Sequence, residues 1–116
     1  MLENEKIFDE LRFFAEVKRR PGLFLGSTSL ISLRDVLHGV GYAFRFCNQE
    51  SPLKYFQLFI DWYHRERIKD LNGYACWWNH ILYTSGNDDK DAFECFFRYF
   101  EQYLLTDHHL SLPEVQ

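Results

Sequence analysis

RRPGLFLGSTSLISLRDVLHGVGYAFRF, residues 19–46, contains the helix around which we expect the rest of the chain to pack. The stretch opens with a basic turn at Arg19–Gly22 and continues through an apolar connector, Leu23–Gly26, to helix-starting residues at Ser27–Ser29. From there, apolar residues recur every three or four positions, which is typical of one helix face about four turns long. These residues are Leu33, Val36, Leu37, Val40, Ala43, Phe44 and Cys47. We therefore predict a central helix that ends near Cys47.

Two glycines, Gly39 and Gly41, lie inside this predicted helix. Each weakens an isolated helix by about 1 kcal/mol relative to alanine. A glycine is tolerable at such a position where another element must approach the backbone closely. At Gly22 and Gly26, which flank an apolar triplet, we expect a tight backbone path or a positive φ.

Helices are also predicted on both sides of this stretch. The first covers Glu3–Lys18 and is stopped by Pro21 and Gly22. The next starts at Ser51 as N-cap with Pro52 at the first helical position. Its expected buried stripe consists of Leu53, Phe56, Phe59, Ile60 and Tyr63.

The last third of the chain predicts two more helices after a loop or turn at Asp70–Gly73. For Tyr74–Tyr83 a strand is the alternative, because Tyr, Trp and Ile favour strands, but a lone strand has nothing to pair with. The final helix runs from about Asp89 to Thr106, capped by Asp88 or Asn87. It carries an apolar stripe expected to be buried, made of Phe93, Phe96, Phe97, Phe100 and Leu104.

Length and composition favour one folded domain. The 116 residues are 47% apolar and 19% aromatic, which is typical of a globular chain. Five helices joined by short turns predict an all-α, compact single-domain bundle covering residues 1–116.

The cysteines and the N-terminus favour a cytoplasmic protein. Three cysteines, an odd number, argue against a disulfide framework; Cys47, Cys76 and Cys95 are interpreted as small core residues. The acidic start of the chain does not have the pattern of a signal peptide, and we expect no membrane span.

Side chains with catalytic potential form no strong motif. None of the five histidines has the usual metal spacing to a cysteine, and the Gly-rich phosphate-binding and Gly-x-Ser-x-Gly patterns do not occur. Cys76 and His80, four residues apart, leave a Cys–His hydrolase as a remote alternative. We therefore expect a binding protein rather than an enzyme, with no metal and no cofactor.

Charge is unevenly distributed along the chain. Residues 88–116 hold seven acids against two bases, a net charge of −5, within a chain whose total is −4. An acidic C-terminal region favours binding to a basic partner and disfavours binding to nucleic acid.

One local resemblance concerns residues 19–30, RRPGLFLGSTSL. This segment resembles the opening of the ATPase domain of DNA gyrase and related ATPases. The helix that follows here lacks that family's Glu-x-x-x-Asn pattern, and the chain lacks its Asp-x-Gly-x-Gly motif. We interpret the similarity as a shared turn-and-cap solution.

A second resemblance covers more of the chain. It rests on Arg20–Gly26, Ser29-Leu30, Leu33, the segment Leu37–Ala43, and the later aromatic helix with Phe56, Phe59 and Trp62. Together these residues resemble small helical bacterial proteins found beside polymorphic toxins, some of which are immunity proteins in contact-dependent growth inhibition. The resemblance implies a protein that binds and neutralises a toxin.

These observations lead to one functional hypothesis and one alternative. We expect a cytoplasmic immunity protein that blocks the active site of a cognate basic toxin, a nuclease being the favoured class. The predicted contact residues are Asp88, Asp89, Asp91, Glu94 and Glu101, with Trp62 and Trp78 as aromatic contacts. The alternative is a helical adaptor or regulatory binding domain without catalytic activity.

Overall fold

The computed structural model describes residues 8–69 and 76–116, and these residues form an all-α domain. Within them lie six α-helices and one π-helical turn. The α-helices are α1 (Glu10–Arg19), α2 (Pro21–Leu25), α3 (Leu30–Phe46), α4 (Lys54–Tyr63), α5 (Trp77–Thr84) and α6 (Asp89–His108). The π-helical turn, His64–Ile68, continues directly from α4.

The first predicted helix and the connector after it both differ from the sequence prediction. Helix α1 begins at Glu10 because the Asp9 side chain accepts a hydrogen bond from the backbone N–H of Arg12; residues 1–7 lie outside the described part of the chain. The predicted turn and connector form the short helix α2 instead. Pro21 suits a first helical position, and Gly26 ends α2 with a φ of 80°.

Helix α3 begins at Leu30, directly after the predicted helix-starting residues Ser27–Ser29, because Ser29 serves as its N-cap and accepts from the Ser32 N–H. Its fully buried residues all lie in its first half, and Val40 packs partly buried against the core. Leu30, Leu33 and Leu37 are buried, whereas Ala43 and Cys47 are exposed. The prediction that all three cysteines are core residues is therefore wrong for Cys47, while Cys95 is buried and Cys76 is half-buried.

Helix α4 begins at Lys54 rather than at Pro52, and its cap comes from another helix. The Ser51 hydroxyl accepts a hydrogen bond from the Leu53 N–H, before the helix proper. The Glu10 carboxylate accepts hydrogen bonds from the N–H groups of Tyr55 and Phe56, at 2.8 and 2.7 Å. Burial raises the pKa of the Glu10 carboxyl, against the opposing effect of these α4 amides. The start of α4 is thus fixed by α1.

The fourth and fifth predicted helices are present as α5 and α6. The strand alternative for Tyr74–Tyr83 is wrong where the structure describes the segment, because α5 spans Trp77–Thr84; Tyr74 and Ala75, and the predicted loop at Asp70–Gly73, lie outside the described residues.

The core is built on α6 rather than on α3. Helix α6 contributes eight buried residues: Ala92, Phe93, Cys95, Phe96, Phe97, Phe100, Tyr103 and Leu104. Phe14 of α1 packs 4.7 Å from the Phe100 ring, and Phe59 of α4 packs 5.5 Å from the Phe96 ring, measured between centroids. The predicted phenylalanine stripe is therefore confirmed as buried.

Among residues 8–69 and 76–116, no helix has the combination of length and apolar character needed to cross a membrane.

Candidate protein-binding site

Asp88 and Asp89, the first two acids of the predicted contact segment, each accept hydrogen bonds at the start of a helix. Asp88 is the N-cap of α6, and its Oδ1 accepts from the Asp91 N–H at 3.0 Å. Asp89 is half-buried; its Oδ2 accepts from the Ser29 hydroxyl at 2.5 Å and its Oδ1 from the Ile31 N–H at 3.1 Å. Asp89 therefore completes the cap of α3, and its carboxylate is not free for a partner.

Asp91 and Glu94 present the exposed acidic charge of this segment. They are three residues apart on α6, so they are neighbours on one helix face. Among the described residues neither side chain takes part in an ion pair, since the pairs found there are Lys18–Glu101, Arg34–Asp35 and Arg65–Glu66. Together with the exposed Asp88 they form what we call the acidic start of α6, defined as Asp88, Asp91 and Glu94.

Glu101 lies two turns further along α6 and already has a partner. Its Oε2 lies 2.6 Å from Lys18 Nζ, with both side chains partly exposed. Water screens such a surface pair, so it adds little to stability but lowers the charge available to another molecule.

A groove of about 550 Å³ connects Glu94 with Glu101. It lies between α6, the end of α1 and the start of α2, and is lined by Lys18, Pro21, Thr28, Lys90, Phe93, Glu94, Phe97, Arg98 and Glu101. Three of these residues are basic and two are acidic. The groove is therefore mixed in charge, and the negative charge is concentrated at the acidic start of α6.

Trp62 and Trp78, the two tryptophans predicted as aromatic contacts, pack against different helices. Trp62 is half-buried; its ring stacks on Phe59 and is tilted against Tyr103, with centroid distances of 5.9 and 5.3 Å. Trp78 is half-buried on α5, where the Arg34 guanidinium lies 4.3 Å from its ring centroid. The structure thus brings Glu94 and Glu101 to one groove and leaves each tryptophan against a different helix.

A polar cluster around His80 was not predicted from the sequence. The Tyr63 hydroxyl and His80 Nδ1 are 2.7 Å apart, and burial is the main reason that the pKa of Tyr63 is raised and that of His80 lowered. Nearby, Arg67 in the π-helical turn donates to the Tyr99 hydroxyl at 2.7 Å. The contact between Cys76 and His80 that the structure describes is a backbone one, from the His80 N–H to the Cys76 carbonyl. His80 therefore faces a tyrosine, which gives the hydrolase alternative no geometric support.

His108 is likewise held by neighbouring aromatic groups, Tyr55 and Tyr103. His108 Nε2 lies 2.9 Å from the Tyr103 hydroxyl, and burial, with a smaller effect of Asp107, raises the pKa of Tyr103. Across residues 8–69 and 76–116, no three His, Cys, Asp or Glu side chains are grouped so as to hold a metal ion.

The outer face of α3 was not predicted from the sequence either. Tyr42 is 58% exposed and Phe46 is 85% exposed, although both lie in a strongly apolar helix. A Cβ added at Gly39 or at Gly41 would have no atom within 4 Å, so the close approach expected over these glycines is not made by the described residues. The signal available in the sequence was the spacing of Gly39, Tyr42, Ala43 and Phe46, a second helical stripe opposite the buried leucines.

Comparison of the chain with protein-family models, with curated proteins and with solved structures finds no match.

Proposed function

We propose that this chain is a cytoplasmic immunity protein that binds a cognate toxin, for which a nuclease is the favoured class, and neutralises it by blocking its active site. The observation that carries the proposal is the acidic start of α6, where the Asp91 and Glu94 carboxylates are exposed and make no ion pair among the described residues. The resemblance of residues 20–43 to helical proteins encoded beside polymorphic toxins supports the same function.

Electrostatic complementarity is the physical basis of the proposal. A nuclease active site is basic because it binds phosphates, so exposed carboxylates compete for the same field. Complementary charge acts mainly on the rate of association and on the choice of partner. Asp88 helps to position these carboxylates, because its side chain accepts a hydrogen bond from the Asp91 N–H and so stabilises the first turn of α6.

The mixed groove supplies a second component of the proposed interface. Glu94 lies at its edge, and the buried Phe93 and Phe97 rings form part of its wall. A toxin segment that enters the groove would meet the Lys18–Glu101 pair, Lys90 and Arg98. It would therefore need both acidic and basic side chains to pair with them. We therefore expect selectivity from the groove and rapid association from the acidic start of α6.

Co-expression with the proposed cognate toxin domain tests the proposal. Growth should be restored and the two proteins should co-purify in equal amounts. Continued growth arrest despite normal accumulation of the folded chain would refute the proposed function. A stable complex with a different cellular protein, without protection from the toxin, would favour the adaptor alternative instead.

A further inference from the structure

The outer face of α3 has the composition of an interface but has no partner within the described part of the chain. We define this face as Asp35, Gly39, Tyr42, Ala43 and Phe46, all exposed and all on the side opposite the buried leucines of α3. It extends about 16 Å from Asp35 to Phe46, at the 1.5 Å rise of an α-helix. Two large aromatic side chains are separated by small residues at spacings of three and four.

The space over the small residues is open. An added Cβ at Gly39 would touch nothing, and the Tyr42 ring beside it is more than half exposed. Glycine in a helix allows the close approach of a second helix, as it does in helix pairs that pack over small residues. The surface therefore contains both the projections and the gaps that helix–helix packing requires.

We infer that the outer face of α3 is a homodimer interface, in which α3 packs antiparallel against α3 of a second copy of this chain. With a two-fold axis passing between Gly41 and Tyr42, Tyr42 of one copy fits between Gly39 and Ala43 of the other. The symmetry makes the same contact twice, as in an isologous interface. The Tyr42 side chain of each copy then faces small residues of the other copy, as a knob faces a hole.

Charge complementarity favours this antiparallel arrangement over a parallel one. Asp35 lies at one end of the face and Arg45 at the other end, on its flank. Arg45 makes no ion pair among the described residues, and the Asp35 carboxylate is 65% exposed although it contacts the adjacent Arg34. An antiparallel pair brings Arg45 of one copy within reach of Asp35 of the other, and a parallel pair would place like charges side by side.

Sedimentation equilibrium of the full chain tests this inference. The wild type should show a concentration-dependent dimer. Tyr42→Ala should raise the dissociation constant of the dimer about tenfold or more, as expected for a central aromatic contact. Gly39→Leu should abolish the dimer by filling the gap, while leaving the monomer folded because its own surroundings are open. Tyr83→Ala removes a tyrosine that is 74% exposed on α5 and should leave the dimer unchanged.

A charge exchange gives a test that loss of stability cannot mimic. Arg45→Glu should weaken the dimer, and Arg45→Glu combined with Asp35→Lys should restore it. Circular dichroism should be the same for all variants. A wild type that stays monomeric at the highest attainable concentration would overturn the inference, as would a dimer that survives both Tyr42→Ala and Gly39→Leu. A monomer that instead binds a different protein through this face would also overturn it.

Discussion

Asp89 and Ser29 join the starts of the two longest helices through a hydrogen bond of 2.5 Å between the carboxylate and the hydroxyl. The same carboxylate accepts from the Ile31 N–H, while the Ser29 oxygen accepts from the Ser32 N–H. Two of the N–H groups that a helix start leaves without partners are thereby satisfied. Asp89 is consequently a structural residue inside a segment whose other acids face outward.

The first prediction follows from this junction. Asp89→Ala should lower the free energy of unfolding by about 2 kcal/mol, because it removes two hydrogen bonds to a charged acceptor. Asp91→Ala, its matched control two residues away, should cost at most about 1 kcal/mol through the helix dipole. Urea denaturation of both variants measures the difference, and equal midpoints would show that the Asp89 contacts contribute nothing.

Glu10 provides the second prediction. Glu10→Ala should destabilise the protein by about 2–3 kcal/mol, because the N–H groups of Tyr55 and Phe56 lose their charged acceptor at a buried helix start. Glu10→Gln keeps one acceptor oxygen and should recover part of that loss. Glu16→Ala on the same helix serves as the control and should be nearly neutral. If Glu10→Ala is as stable as Glu16→Ala, the cap between α1 and α4 is not important for stability.

Gly26 and Gly22 form a matched pair for the third prediction. Both have open space where a Cβ would lie, but only Gly26 has a positive φ, at 80°. Gly26→Ala should therefore cost about 1–2 kcal/mol through backbone strain. Gly22→Ala should be neutral or slightly stabilising, because Gly22 lies in a short helix. Thermal unfolding of the two variants compares them, and the reverse order would refute the left-handed conformation at Gly26.

The fourth prediction concerns pH. Burial lowers the pKa of His80 below its usual 6.5 in the folded chain, so the unfolded chain binds a proton there at higher pH. Stability from His80 is thus fully present above pH 6.5 and decreases as the pH falls from 6.5 towards the lowered value. Melting temperatures measured between about pH 5 and 8 should show this loss for the wild type, and a smaller one for His80→Gln. Identical profiles for the wild type and His80→Gln would contradict the assignment.

Much of the fold was predictable because apolar spacing reports burial directly. The stripe at Phe93, Phe96, Phe97 and Phe100 identified the face of α6 that packs in the core. Helix boundaries were harder to predict, since they depend on contacts between distant residues. The start of α4 is fixed by Glu10, which lies 45 residues before Tyr55. No pattern in the neighbouring sequence predicts a contact over that separation.

The candidate site was only partly predictable for a related reason. Sequence shows that Asp89 and Asp91 are acidic, but not that Asp89 turns towards Ser29 while Asp91 stays exposed. In α3, the apolar residues after Leu37 looked like a continuation of the buried stripe. Ala43 lies on the outer face of α3 and Cys47 is the C-cap of the helix, so both are exposed and their apolar character does not report burial.

The most direct test of the proposed function is the rate of association with the cognate toxin domain, measured for the wild type and for the double variant Asp91→Lys, Glu94→Lys. Asp88 and Asp89 are left unchanged because both support helix starts. The double variant Glu50→Lys, Asp107→Lys has the same net charge, with both substitutions on exposed residues that do not line the groove.

We expect Asp91→Lys, Glu94→Lys to slow association by about tenfold or more, while the control stays within a few-fold of the wild type. The wild-type rate should also fall with added salt, since screening acts over about 10 Å at 0.1 M. Equal association rates for the two double variants, with both proteins folded, would contradict the claim that the acidic start of α6 guides binding to the toxin.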